Sequence, residues 1–219
     1  MNFKAAIFDM DGLLLDTEQV CMRIFEQACH AVGAPFLKET YLSIIGCNAQ
    51  RINQILTEGY APYIDYQKIH VEWRERYNAV VLHQAIPVRS GVIEMLEWLQ
   101  EHNIPCAVAT STQKDVAEVK LKLAGLDGYF ANITTGCEVT HSKPAPEIYQ
   151  LAAQRLNISA NDCIAFEDSN NGVKAAVAAG MATFQIPDLV EPSQEVIKLG
   201  HAILPTMGDV LSHLQTKVA

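Results

Sequence analysis

The spacing of apolar residues changes character along this chain. Residues 3–9, FKAAIFD, form a short apolar run that stops at Asp9 and then Gly12. That length predicts a buried strand rather than a helix. From Thr17 the period switches. Val20, Cys21, Ile24, Phe25, Ala28, Cys29 and Val32 repeat at three and four. They predict a helix that Gly33 closes and that Asp16 and Thr17 cap. Up to about Ala85 only helical spacing recurs, near 38–45, 48–58 and 66–83, with turns at Gly46, Gly59 and Pro62. Beyond Ile86-Pro87 strands and helices alternate. Strands are predicted at 105–111, 132–135, 163–168, 182–186 and 202–205. The helices between them run from Ser90 to His102, over 113–124, from Pro144 to about Leu156, from Asn171 to Gly180, and from Gly208 to Lys217. Such alternation predicts a doubly wound parallel sheet, an α/β core of Rossmann-like type. The expected organisation is a core of residues 1–16 and 87–219 with an all-helical insert at 17–86.

Charge sharpens this division. The insert holds seven acidic and six basic residues, a net of −1, whereas the whole chain carries −9. The rest therefore carries −9 − (−1) = −8. An acidic balance of this kind argues against nucleic acid, which selects clustered Lys and Arg, and against anionic lipid. With 49% apolar and 19% charged residues in 219, the chain is a globular domain with a sizeable core. No apolar run approaches the roughly 18 residues of a membrane span. The start of the chain meets two aspartates by residue 11, which a secretory signal would not. Six cysteines, at 21, 29, 47, 106, 137 and 163, form no C-x-x-C pair and read as buried free thiols of a cytoplasmic protein.

In a parallel sheet, ligands collect beyond the carboxyl ends of the strands. The first strand ends in Asp9-Met10-Asp11-Gly12 and the second in Thr110-Ser111-Thr112. Ser142-Lys143-Pro144 follows the third, and Glu167-Asp168-Ser169 ends the fourth. Four acids, several hydroxyls and one lysine thus gather on one rim from four segments. Carboxylates hold a hard cation such as Mg²⁺ through oxygen. Hydroxyls and backbone N–H groups hold phosphate oxygens, and a lysine offsets their charge. The inventory describes a site for a phosphate together with a cation.

As a set, FDMDGLLLDTE (8–18), VATST (108–112), SKPAPEIY (142–149) and FEDSNNGVKAAVAAGM (166–181) resemble the four motifs of the haloacid dehalogenase superfamily. The likeness is closest to its phosphatase and β-phosphoglucomutase branch, and the insert at 17–86 matches that branch's small helical cap. The resemblance implies a Mg²⁺-dependent phosphatase of a small phosphate monoester that works through an aspartyl-phosphate. It implies Asp9 as nucleophile and Asp11 as the acid and base. It implies Thr110, Ser111 and Lys143 around the phosphate, and Asp9, Asp11 (by its carbonyl), Asp168 and Glu167 around the metal. Leu15–Thr17 and Gln84–Val88 would be the cap's hinges.

Specificity in this branch is supplied by the cap, where Cys47, Asn48, Gln50 and Arg51 follow Gly46. The alternative within the same motifs is a hexose-phosphate mutase. The resemblance gives those mutases a histidine twelve residues after the nucleophile and an arginine three after the glycine that opens a cap helix. Here those positions hold Cys21 and Ala49, which favours the phosphatase.

Overall fold

A computed structural model describes residues 3–45 and 49–216. Its sheet has six strands: β1 (Ala5–Phe8), β2 (Cys106–Thr110), β3 (Phe130–Thr135), β4 (Cys163–Glu167), β5 (Ala182–Gln185) and β6 (Ala202–Ile203). All pair in parallel, in the order β3-β2-β1-β4-β5-β6. The chain starts in the middle, winds outward to β3, and returns to β4 on the other side of β1. The order therefore reverses between β1 and β4, and a crevice opens beyond their carboxyl ends. Each of β1, β2 and β4 is buried along its whole length. This accounts for their reading as continuous apolar runs rather than alternating ones.

Period-two alternation splits the sheet's side chains between two cores. Ala6, Phe8, Val108, Ile164 and Phe166 face one layer, formed with α5 (Val92–Glu101), α6 (Lys114–Leu123) and α10 (Met207–Thr216). Phe8 stacks on Phe166 across the β1–β4 pair, with centroids 4.5 Å apart. Ala5, Ile7, Ala107, Ala109 and Ala165 face the other layer, against α7 (Glu147–Arg155) and α8 (Asn170–Ala178). Alanines dominate on both sides of that second seam, so α7 and α8 lie close to the strands. A third cluster joins Phe25, Ala28, Tyr41, Leu56, Tyr60 and Ile69. It belongs to α1 (Thr17–Ala31), α2 (Lys38–Leu42), α3 (Ala49–Tyr60) and α4 (Tyr66–Val81). The helical insert thus has an apolar core of its own.

Several elements differ from the pattern read off the sequence. Helix α3 runs through Gly59, where a turn was expected, and α2 packs against it there. A Cβ at 59 would lie 2.8 Å from Thr40 Cγ2, so the glycine serves close helix approach rather than chain reversal. A further helix, α9 (Gln194–Ile197), occupies a stretch that carries no long periodicity. Asp16 stands at the N-cap of α1, yet its side chain makes no capping hydrogen bond. Cys137 is exposed and Cys21 half-buried, whereas Cys29, Cys106 and Cys163 are buried; all five are free thiols. The expected turn at Gly46 and the positions Cys47 and Asn48 lie outside the described residues. Among the described residues no helix is long and apolar enough to cross a membrane.

The loop that leaves β3 is pinned before it reaches Lys143. Thr135 donates to Glu138 Oε2 from its backbone N–H and from its hydroxyl, both at 2.8 Å, and Arg155 Nη2 of α7 donates to Glu138 Oε1 at 2.8 Å. The Arg155 hydrogen bond outweighs the effect of burial and, with Thr135, holds the Glu138 carboxyl down at about 2, below its ordinary 4.5. A depressed carboxylate contributes stability that is complete above its unfolded value and is lost as pH falls through its folded one. Glu138→Gln is therefore expected to cost about 1–3 kcal/mol at pH 7. In urea denaturation the gap to wild type should narrow by pH 3 and close near pH 2; a gap independent of pH would contradict the ion pair's role.

Candidate active site

The rim beyond β1, β2 and β4 carries the acids and hydroxyls that the sequence pattern gathered. Asp9 follows β1, and its N–H donates to the Phe166 carbonyl of β4 at 3.0 Å. Registry with β4 sets the two strand ends side by side, so Asp9, Glu167 and Asp168 present carboxylate oxygens within 4.8 Å of one another. Lys143 enters from the loop after β3. Its ammonium donates to Asp9 Oδ1 at 2.5 Å, to Glu167 Oε1 at 2.6 Å and to the Ala109 carbonyl at 3.0 Å. All three N–H groups are used, and the side chain is almost wholly buried.

Glu167 is fully committed. Its Oε1 accepts from Lys143 and from Tyr149 Oη at 2.8 Å. Its Oε2 accepts from the Asp168 N–H, the Ser169 N–H and the Ser169 hydroxyl at 3.0–3.1 Å. Gly172, in the first turn of α8, makes room for it: a Cβ at 172 would lie 1.7 Å from Glu167 Oε1. By contrast, Asp168 Oδ1 is buried with no hydrogen-bond partner. Gly12 holds the chain against this aspartate at φ +86°, where a Cβ would come within 2.3 Å of Asp168 Oδ2.

The electrostatics follow from this packing. Burial, with Glu167 and Asp11 nearby, pushes the Asp9 carboxyl well above the usual range despite Lys143. Burial, Glu167 and Asp9 do the same to Asp168. For Lys143, burial alone would favour the neutral amine, but Asp9 and Glu167 outweigh it and hold the ammonium. Three carboxyl groups thus crowd one ammonium, and ionising all of them would leave an excess of two negative charges. That excess, the oxygen-only donors and the orphaned Asp168 oxygen fit a hard divalent cation.

Asp11 has a different setting. Its Oδ2 accepts from the Thr112 hydroxyl at 2.6 Å and from the Thr110 hydroxyl at 3.4 Å. Its Oδ1 accepts from Lys120 Nζ of α6 at 2.8 Å. Burial would raise this carboxyl, yet Lys120 and Thr112 overcome burial and hold it below the usual range. Thr110 is buried and takes the Thr112 N–H at 3.1 Å, whereas Ser111 is exposed beside it. Arg51 is exposed on α3, where it donates to Gln54 at 3.0 Å.

The structure therefore brings together Asp9, Asp11, Thr110, Lys143, Glu167 and Asp168, with Ser111 at the outer rim. Sequence reasoning placed Thr112 on the rim without a role for it, and missed Lys120, Tyr149 and Tyr77. Lys120 left a trace: it sits between Ala117 and Leu121 on the buried stripe of α6, where an unpaired lysine is seldom found. Over Asp168 lies a cavity of about 180 Å³, lined by Glu18, Ile45, Ser169, Asn170 and Asp188. Burial pushes Glu18 up to about 7, helped by Asp11 and Asp188. A larger cavity, about 320 Å³, opens at the other end of β2 between Ile104, Cys106 and Tyr129 and holds no carboxylate or lysine.

A parallel sheet with buried acids, a lysine and hydroxyls at the ends of its central strands defines a hydrolase of the phosphoryl-transfer kind. Residues 6–186 match the haloacid dehalogenase-like hydrolase family, and the chain belongs to it. It is 33% identical over 178 residues to a phosphorylated carbohydrates phosphatase of Thermotoga maritima, covering 81% of this chain and 82% of that one. It is 30% identical to the fructose-1-phosphate phosphatase YqaB of Escherichia coli, over 82% of this chain and 94% of that one. CbbY of Rhodobacter sphaeroides, solved with phosphate, superposes with a TM-score of 0.74 at 26% identity, covering 95% of this chain and 96% of that one.

Glu167 leaves a methyl group at position 172 no space, so Gly172→Ala is expected to displace the carboxylate and release Lys143. The loss should be about 1–3 kcal/mol in urea denaturation. A fall of at least about tenfold in phosphate-ester hydrolysis should accompany it. Full activity in a folded Gly172→Ala protein would show that Glu167 need not stay where it is.

Proposed function

We propose that the protein is a Mg²⁺-dependent phosphatase of small phosphate monoesters, sugar phosphates or similar metabolites, acting through an aspartyl-phosphate on Asp9. One observation carries this reading: Lys143 bridges Asp9 and Glu167 beside an Asp168 oxygen that has no partner. A site built only to be stable would not leave that oxygen bare among buried charges.

In this reading Asp9 Oδ attacks phosphorus as the bond to the ester oxygen breaks, and Asp11, which takes up a proton from solvent on Oδ2 before that bond breaks, passes it to the departing oxygen. Water then attacks the phosphorus held on Asp9, Asp11 takes the water's proton, and inorganic phosphate leaves with the Asp9 carboxylate restored. Lys143 neutralises the approaching phosphate, whose charge would otherwise repel Asp9. Thr110 and the backbone around Ser111 hold the transferring group. Asp9, Asp168 and the Asp11 carbonyl would hold Mg²⁺, which when bound offsets negative charge on the carboxylates and the phosphate. Glu167, with both oxygens occupied, orients Lys143 and the Asp168 backbone.

Residues 17–86 act in this reading as a cap on the core of 1–16 and 87–219. Its two connections run together: Leu15 bridges Val88, and the Asp16 N–H donates to the Pro87 carbonyl at 2.9 Å. Leu15–Thr17 and Gln84–Val88 would then be paired hinges, and closure would exclude bulk water from Asp9. The relatives that act on phosphorylated carbohydrates and on fructose 1-phosphate point to the same class of ester.

Asp9→Asn should retain the fold and lose at least about 10⁴-fold in kcat with any ester. More than a tenth of wild-type activity would remove Asp9 as nucleophile. EDTA should abolish turnover and Mg²⁺ restore it, while Ca²⁺, which takes longer bonds of about 2.3–2.6 Å, should not; activity that survives chelation would refute the metal requirement.

The phosphatase reading also predicts net hydrolysis in place of mutation. Burial pushes the Cys21 thiol up to about 12, so the group at the mutases' histidine position exchanges no proton near neutrality. Phosphorus NMR on β-glucose 1-phosphate, primed with the 1,6-bisphosphate, should register no conversion to glucose 6-phosphate. Glucose 6-phosphate accumulating faster than inorganic phosphate would establish the mutase.

A further inference from the structure

Lys120 is 1% exposed, and no residue of its own helix pairs with it. An ammonium at that depth is tolerated only where partners replace its water. Its two partners come from different parts of the chain. Asp11, on the core rim, accepts at 2.8 Å, and Tyr77 Oη, on α4 of the helical insert, accepts at 2.9 Å. The ammonium also stands 5.5 Å from the centre of the Tyr77 ring, within cation–π range. Lys143 already serves Asp9 and Glu167, so Lys120 is a second buried cation with a separate task.

That task follows from which Asp11 atom it takes. Lys120 occupies Oδ1, and Thr112 and Thr110 meet Oδ2. A hydroxyl can turn away to let Oδ2 exchange a proton with the ester oxygen or with water. The ammonium has no such freedom, because leaving Oδ1 would take it from its carboxylate and leave a neutral hydroxyl, Tyr77 Oη, to hold a buried charge. We propose that Lys120 is a positioning residue that fixes the Asp11 carboxyl with Oδ2 as its proton-exchanging atom, and that Tyr77 makes this alignment depend on the docked helical insert. The inference rests on the reading of Asp11 as acid and base. Lys120 keeps its own protons throughout. One proton passes from Asp11 to the departing alkoxide in the first step and returns from water in the second.

The test compares leaving groups. An alkyl ester such as glycerol 3-phosphate needs a proton on the departing oxygen, whereas p-nitrophenyl phosphate does not. Lys120→Met should lower kcat/KM for the alkyl ester about 10²-fold and for the aryl ester less than about tenfold. Lys120→Arg should recover part of the alkyl-to-aryl ratio, and Tyr77→Phe should shift it in the same direction as Lys120→Met but less. In an Asp11→Ala background, Lys120→Met should leave the ratio where Asp11→Ala alone put it. If circular dichroism finds Lys120→Met unfolded, Tyr77→Phe decides: a shifted ratio supports the assignment and an unshifted one overturns it. Equal losses on both esters would also overturn it, since they mark a structural role. Wild-type protein that releases no phosphate from either ester would overturn the phosphatase reading and this assignment with it. Wild-type release with unchanged ratios in the variants overturns this assignment alone.

Discussion

The contact on which the rest depends is the buried Lys143 ammonium between Asp9 and Glu167. Removing one partner of such a pair typically costs about 3–5 kcal/mol, because it strands a charge out of water. Neighbouring features of the fold serve to hold it. Tyr149 of α7 steadies the Glu167 oxygen that Lys143 shares, and the Ala109 carbonyl at the end of β2 takes the third N–H. The first turn of α8 gives up a side chain at Gly172 so that Glu167 can sit against it. Glu138 and Arg155 anchor the loop on which Lys143 arrives. These residues lie on β2, α7, α8 and the loop after β3, so the pair is held in this way only when those elements have assembled around β1 and β4.

The strand order makes that assembly possible. Parallel strands deliver all their carboxyl ends to one edge, and the reversal beside β1 opens a gap between the helices of the two halves. Asp9 and Glu167 end adjacent strands in direct register, Phe8 opposite Phe166. The stacked rings beneath them fill the core on one face while alanines close the other. Large and small side chains are thus divided by face, which permits both a rigid floor and two tightly packed helices, α7 and α8, that reach up to the carboxylates.

Much of this was legible in the sequence, because acids that end buried strands stand out against the apolar runs before them. Asp9, Asp11, Glu167 and Asp168 all follow such runs, and Lys143 lies in a loop between a strand and a helix. The parallel sheet and the helical character of 17–86 could be read for the same reason, from a period of 3.6 against short unbroken runs. What stayed hidden depended on contacts between distant elements. Gly59 looked like a turn because its crowding against Thr40 is tertiary. Lys120 and Tyr77 are 43 residues apart, and no local pattern relates them. Tyr149 sits in an ordinary amphipathic turn, and only the fold sets its hydroxyl against Glu167.

Asp9 and Asp11 stand two positions apart and receive opposite treatment. Asp9 shares its pocket with two more carboxyls and a single ammonium, and burial makes its carboxylate costly. Asp11 faces a lysine of its own and a threonine hydroxyl, which keep its charge favourable. Before a cation binds, this order is the reverse of the proposed roles, since the raised carboxyl is the nucleophile and the lowered one the acid and base. A proton and a hard cation compete for the same oxygens around Asp9, so a cation that binds must release a proton from the cluster. In the proposed phosphatase, Asp9 is therefore a ready nucleophile when the cation site is filled. Asp11, paired with Lys120, favours its carboxylate form and so releases readily the proton it carries to the departing oxygen. The chain separates the two carboxylates electrostatically by giving each its own buried lysine and only one of them an excess of acids.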